Sequence, residues 1–203
     1  PTPENIARML LLEVAPLFED TAAKPVAVHL EVSPLGSATA YADGRFERNF
    51  WIEFSAARRT FSPHLSEEEN QKLFGAAASP MGHGHNYRLR VTADGRVEPD
   101  KGLLVPYRER WNALDHMRNL LDHKNLNEEV PALKGWPITT ESLARFCFEQ
   151  MAERMPLSQV RLYETSWFFA EYHRDRSTTV GVERQFHAAH RLNNPKLSPQ
   201  ANR

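Results

Sequence analysis

Phe50, Ile52 and Phe54 alternate with Trp51, Glu53 and Ser55, the period-two pattern of a half-buried strand. Tyr87, Leu89 and Val91 alternate with Arg88 and Arg90 in the same way. Asp94-Gly95 follows at once and predicts a hairpin turn, a signal that Asp43-Gly44 repeats. Tyr107, Trp111, Leu114 and Leu121 stand at helical spacing and predict a helix over 106–121. Two further helices are expected over 4–18 and 141–154. Each has a proline shortly before it and a glutamate in its first turn, where the positive end of the helix dipole favours a carboxylate. Residues 160–164 and 168–172 read as two more strands. The order strand, strand, helix, helix, strand, strand predicts an α+β fold, with an antiparallel four-stranded sheet and two helices on one face.

The chain also repeats itself. Pro1-Thr-Pro-Glu-Asn-Ile-Ala-Arg8 matches Ile138-Thr-Thr-Glu-Ser-Leu-Ala-Arg145, and Leu30-Glu31-Val32-Ser33 matches Tyr163-Glu164-Thr165-Ser166. Phe54-Ser-Ala-Ala-Arg-Arg59 matches Phe186-His-Ala-Ala-His-Arg191. That last match continues without a gap through Pro63/Pro195, Leu65/Leu197, Ser66/Ser198 and Asn70/Asn202. Residues 1–44 therefore read as the C-terminal part of one copy, 45–176 as a complete copy, and 177–203 as the N-terminal part of a copy. Either the chain is a piece of a longer array, or head and tail belong to one copy. The second reading is preferred: the counterpart of Lys72–Pro137 would then lie outside this sequence.

Composition narrows the field. Of 203 residues, 41% are hydrophobic and 25% charged, an ordinary soluble globular balance. Lys+Arg is 25 against Asp+Glu 26, a formal net charge of −1, which argues against nucleic acid as a partner. No apolar run is long enough to span a bilayer, so no membrane partner is expected. The single cysteine, Cys147, excludes an internal disulfide and fits a cytoplasmic location. Between Phe146 and Phe148 on a predicted helix, it reads as a core thiol.

Three stretches could carry chemistry. In Gly82-His83-Gly84-His85-Asn86-Tyr87, two histidines at i and i+2 of a strand point to one side. They could grip one metal ion, or be two loop histidines. In Leu121-Asp122-His123-Lys124-Asn125-Leu126-Asn127, an Asp beside a His could form a general acid–base pair, or simply end a helix. Leu114-Asp115-His116 is read as helix surface. Glu164 shares a strand face with Val160 and Leu162, near Thr139-Thr140-Glu141. A carboxylate there either grips the N–H groups of a heterocycle or faces solvent on an edge strand.

In order along the chain, Phe54-Ser-Ala-Ala57, Leu73-Phe-Gly75, Gly82-His-Gly-His-Asn-Tyr87, Leu121–Asn127, Thr139-Thr-Glu141 and Tyr163-Glu-Thr165 resemble the 6-pyruvoyl tetrahydropterin synthase family. The resemblance implies the tunnelling fold, in which four-stranded sheets join edge to edge into a barrel by assembly of a homo-oligomer. It implies a zinc-dependent lyase that acts on 7,8-dihydroneopterin triphosphate with loss of triphosphate. Zinc would be bound by the His-Gly-His pair, His83 and His85, and by a third histidine. Asp122 and His123 would move protons as the catalytic pair. Thr139, Thr140, Glu141 and Glu164 would bind the pterin, with Glu31 as the counterpart of Glu164. The related 6-carboxytetrahydropterin synthases of deazapurine biosynthesis are an alternative. So is a catalytically inactive pterin-binding or scaffold homologue.

The complete copy departs from the family pattern twice. The third zinc histidine falls at Arg58, which has no lone pair to offer, and the family's cysteine falls at Ala77. No zinc is therefore expected at His83 and His85; Arg58 would instead hold an anion. In the fragmentary copy the third histidine is intact as His190, to be partnered by a His-Gly-His of its own copy. His187, three residues earlier on the same strand, points to the other face and is not expected as a ligand.

Overall fold

The computed structural model describes residues 1–97, 100–191, 193–196 and 198–200. Leu197 and Asn202 of the repeat match lie outside the described residues. Among those described, no helix is long and apolar enough to cross a membrane.

The chain runs α1 (Pro3–Val14), β1 (Ala27–Ser33), β2 (Gly36–Tyr41), β3 (Phe46–Arg58), α2 (Glu67–Phe74) and β4 (His83–Gly95). It continues through α3 (Tyr107–Leu121), β5 (Lys124–Asn125), α4 (Leu126–Glu129), α5 (Thr140–Ala152), β6 (Leu157–Tyr163), β7 (Phe168–His173) and β8 (Thr178–Val182). One antiparallel sheet takes the order β1-β2-β3-β4-β6-β7-β8, and β5 adds a short parallel pairing to the end of β3. The four strands expected for one copy are β3, β4, β6 and β7. The sheet has eight because the flanking segments add β1, β2 and β8 to its edges, and β5 pairs beside β3.

The alternation of apolar positions places the core. Phe50, Ile52 and Phe54 of β3, Tyr87, Leu89 and Val91 of β4, and Val160 and Leu162 of β6 are all buried on one face. They pack under Met117 and Leu121 of α3 and under Leu143, Phe146 and Met151 of α5. Cys147 is fully buried in this cluster, and burial pushes its thiol pKa up, as expected of an inert core thiol. A smaller core joins Ala7 and Leu11 of α1 to Ala40 and Phe46. Arg48 and Glu4 tie this lobe to β3 through a buried ion pair of 2.9 Å.

Asp43-Gly44 makes the expected hairpin turn between β2 and β3: Gly44 takes φ 84°, and the Asp43 carboxylate accepts from the Arg45 amide. Asp94-Gly95 does not. Both residues are still in the ladder, opposite Glu47 and Phe46, and the chain then crosses to α3. The dipeptide signals a turn only where a strand follows to pair back, and here a helix comes next. The helix over 4–18 is likewise shorter than expected, because α1 tightens into a 3₁₀ turn at Ala15–Phe18.

The ladder registers repeat. A step of 132 residues carries Ala27↔Tyr41 onto Gln159↔His173 and Glu31↔Ser37 onto Tyr163↔Phe169. The same step carries Gly36↔Phe50 onto Phe168↔Val182 and Ala40↔Phe46 onto Tyr172↔Thr178. The block β1-β2-β3 thus pairs as β6-β7-β8 does. At the second junction the ring of Phe169 lies over Gly181, where a Cβ would sit 2.0 Å from it.

Candidate active site

β3 and β4 deliver the first site residues together. Arg58 lies opposite His83 and Ala56 opposite His85 in the ladder. Strand alternation sends Arg58, His83 and His85 to the helix side of the sheet. The two imidazoles meet edge to face, with centroids 4.9 Å apart. Glu164, one residue past β6, and Thr140, at the start of α5, close the cluster.

Arg58 dominates it. Its Nη2 donates to Glu164 Oε2 at 2.6 Å and more distantly to Thr140 Oγ1, and its Nη1 donates to the Ile138 carbonyl. Thr60 Oγ1 donates to the same carbonyl at 2.9 Å, and Thr140 Oγ1 donates to Glu164 Oε2. The side chains of Arg58 and Glu164 are only 5% and 12% exposed. Burial alone would raise the Glu164 pKa. The Arg58 charge and the hydrogen bonds from Thr140 and Arg58 outweigh it, and the carboxyl ends below its ordinary value. The expected anion at Arg58 is therefore present, but it is internal: the carboxylate of Glu164.

The histidines are left over. His85 Nε2 lies 2.7 Å from Glu164 Oε1, yet off hydrogen-bonding geometry, so it has no hydrogen-bond partner. His83 Nδ1 and the Tyr87 hydroxyl are also buried without one. Burial lowers both histidine pKa values, the Arg58 charge adds to this, and Glu164 opposes it. Neutral imidazoles have lone pairs free, and donor atoms of His83, His85 and Glu164 lie within 4.8 Å of one another. These three could hold a metal ion. As a three-imidazole zinc site the cluster does not fit. Arg58 stands at the third position, claims the carboxylate, and brings a positive charge that repels a dication.

Asp122 and His123 form a second group. The Ser55 amide donates to Asp122 Oδ1 at 2.8 Å, and the His123 amide donates to the Ser55 carbonyl at 2.6 Å. His123 Nδ1 sits 3.0 Å from Asp122 Oδ2. The hydrogen bond from Ser55 lowers the Asp122 pKa against a small effect of burial, and His123 lowers it further. His123 takes φ 58°, a left-handed conformation that turns the imidazole outward, where it is 84% exposed. It lines an open recess with His85, Ser55, Ala57 and Asn125.

The remaining expected residues stay apart. Thr139 caps α5 by accepting from the Ser142 amide, while Glu141 sits in that helix's first turn. Glu31 is exposed on β1, and the register puts it in step with Tyr163 rather than with Glu164. His190 and His187 lie in exposed, irregular chain beyond β8. His116 is on α3 and Asp115 is exposed there, bonded only within the helix to Asn119. Sequence reasoning missed that Arg58 and Glu164 are each other's partners. Each carried a signal alone, a cation and a carboxylate on core-facing strand positions, but nothing local joined them.

A family model described as 6-pyruvoyl tetrahydropterin synthase matches residues 49–175 in one stretch. The 6-pyruvoyl tetrahydrobiopterin synthase of Pongo abelii is 39% identical over 118 residues, which span 56% of this chain and 81% of that protein. The Dictyostelium discoideum protein of the same name is 38% identical over 122 residues, 59% of this chain and 89% of that one. The solved structure of Caenorhabditis elegans 6-pyruvoyl tetrahydropterin synthase superposes with a TM-score of 0.61 at 30% identity. It covers 64% of this chain and 95% of its own. By the match of residues 49–175 and by its fold, the chain belongs to the 6-pyruvoyl tetrahydropterin synthase family.

Proposed function

We propose that the chain is part of a cytoplasmic, homo-oligomeric pterin lyase built from tandem copies, acting on 7,8-dihydroneopterin triphosphate with loss of triphosphate. The observation that carries the enzyme reading is the Asp122–His123 pair, anchored on Ser55 yet open to a recess. An oriented, accessible imidazole is equipped to take and return a proton. Thr140 and Glu164 would bind the pterin wherever Glu164 is free of Arg58, with Thr139 and Glu141 beside them. Glu31 is proposed for the same task in the other copy.

Two observations support the tandem reading, with 1–44 and 177–203 as parts of one further copy. The first is the 132-residue repeat of the ladder registers. The second is α1, whose Met9 and Leu10 are 53% and 37% exposed. Their sequence counterparts in α5, Phe146 and Cys147, are 2% and 0% exposed under α3. α1 is thus an apolar face that lacks its counterpart of α3. Zinc, the metal the family resemblance implies, would be held by His190 and a His-Gly-His of that second copy. The complete copy would lend Asp122 and His123.

The buried Arg58–Glu164 pair favours a second reading, a pterin-binding scaffold without chemistry. Zinc content and triphosphate release separate the two. In the polypeptide that carries both copies, His190→Ala should abolish zinc binding and turnover, while His83→Ala leaves both nearly intact. The reverse result would exchange the living and degenerate copies. Zinc near zero with no triphosphate release would establish the scaffold. Analysis of the product distinguishes a pyruvoyl from a carboxy pterin.

A further inference from the structure

A groove of about 340 Å³ opens between the β1–β2 turn and α3, and no residue of the histidine cluster lines it. That size suits a small molecule. Tyr107 and Trp111, the helix-spaced aromatics, do not enter the core; Trp111 is 69% exposed and both line this groove. Val32 and Leu35 of the turn face them, also exposed.

The floor carries uncompensated positive charge. The guanidinium carbons of Arg48 and Arg110 lie 5.1 and 5.2 Å from the same Phe50 ring. Glu4 binds Arg48 Nη1 through Oε2 and accepts the Leu104 amide on Oε1; it makes no ion pair with Arg110 and acts on it only at longer range. Arg48 is almost wholly buried, lines the groove, and its Nε has no hydrogen-bond partner. Among the described residues Arg110 has no ion pair; it lies only against the Phe50 and Tyr107 rings. Burial and the neighbouring Arg48 charge lower its pKa, outweighing the opposing effects of Tyr107 and Glu4. Arg118 adds a third positive charge at the rim, against a single carboxylate there, Asp115. A guanidinium beside aromatic faces recognises planar acids well, since it can bond the acid group while the ring packs alongside.

We propose that this groove binds a small planar anion, an aromatic or heteroaromatic ring bearing a carboxylate or phosphate, with the ring against Trp111 and the acid group on Arg110. The groove shares no lining residue with the recess at His123. Calorimetric titration of the whole chain with 2-naphthoate, 2-naphthyl phosphate and uncharged 2-naphthamide tests it. Both anions should bind at least about tenfold more tightly than the amide, a difference typical of a charge-assisted contact. R110Q should remove that preference, R110K should restore part of it, and W111A should weaken all three ligands. Arg110 and Trp111 both reach solvent, so these variants keep the fold. The ratio of naphthoate to naphthyl phosphate affinity identifies the acid group. Equal binding of amide and anions, an unchanged preference in R110Q, or no saturable binding of any probe would overturn the proposal.

Discussion

The two histidine-bearing groups both border β3, one at Arg58 and the other at Ser55, and have opposite designs. Around Arg58 every charge is turned inward, and Glu164 is held from two sides. Around Asp122 the anchoring uses main-chain atoms of Ser55, leaving the His123 imidazole free and outside. A buried ion pair is tied to the fold's stability, because either charge alone is costly there. A side chain fixed through its own backbone can be replaced with little structural cost. The first group is therefore built into the stability of the fold, and the second is the one proposed above to move protons.

The strongest way to break this contrast is to remove one charge. Glu164→Ala leaves Arg58 buried and unpaired and should cost about 3–5 kcal/mol of stability. Urea denaturation measures it. The double variant Arg58→Met with Glu164→Leu should regain most of the loss; if the single variant costs under about 1 kcal/mol, the pair is not structural.

His123→Ala should do the opposite. Its melting temperature should stay close to the parent's, while turnover of the proposed substrate, 7,8-dihydroneopterin triphosphate, should fall by roughly a hundredfold or more, as for a lost acid–base group. Asp122→Asn keeps the bond from Ser55 but not the charge beside His123. It should reduce turnover less than His123→Ala and shift its pH profile. A melting-temperature loss in His123→Ala as large as in Glu164→Ala would erase the distinction.

The smallest effect is a pH slope. His83 and His85 have folded pKa values below the ordinary 6.5. The unfolded chain therefore binds their protons more readily than the folded one. Stability is complete above about pH 6.5 and declines as the pH falls through that range. Glu164, held below 4.5, contributes stability above its unfolded pKa that is lost at lower pH, as the pH falls through its folded pKa. Melting curves at pH 7 and pH 5, roughly spanning the histidine range, should show the decline, and His83→Gln should flatten it.

Much of this was readable in the chain. Period-two alternation located β3, β4, β6 and β7, and helical spacing located α3, because burying one face dictates both patterns. His83 and His85 share a face for the same reason. The partnership of Arg58 and Glu164 was not readable, since it spans 106 residues and depends on three strands aligning. Tyr107 and Trp111 marked a helix correctly, yet face outward, because periodicity gives a stripe and not what covers it. The Asp94-Gly95 turn failed for a related reason: a turn signal is local, but a hairpin needs its second strand.

Gly181 sets a limit of a different kind. The Phe169 ring that lies across it also faces the Arg161 guanidinium at 4.2 Å and the Tyr163 ring at 5.1 Å. Any side chain at 181 would force that ring to shift, and with it the contacts to Arg161 and Tyr163. Beside its backbone ladder with β7, β8 thus carries a keyhole the width of a missing methyl group, and the ring that fills it ties this strand to the face of β6.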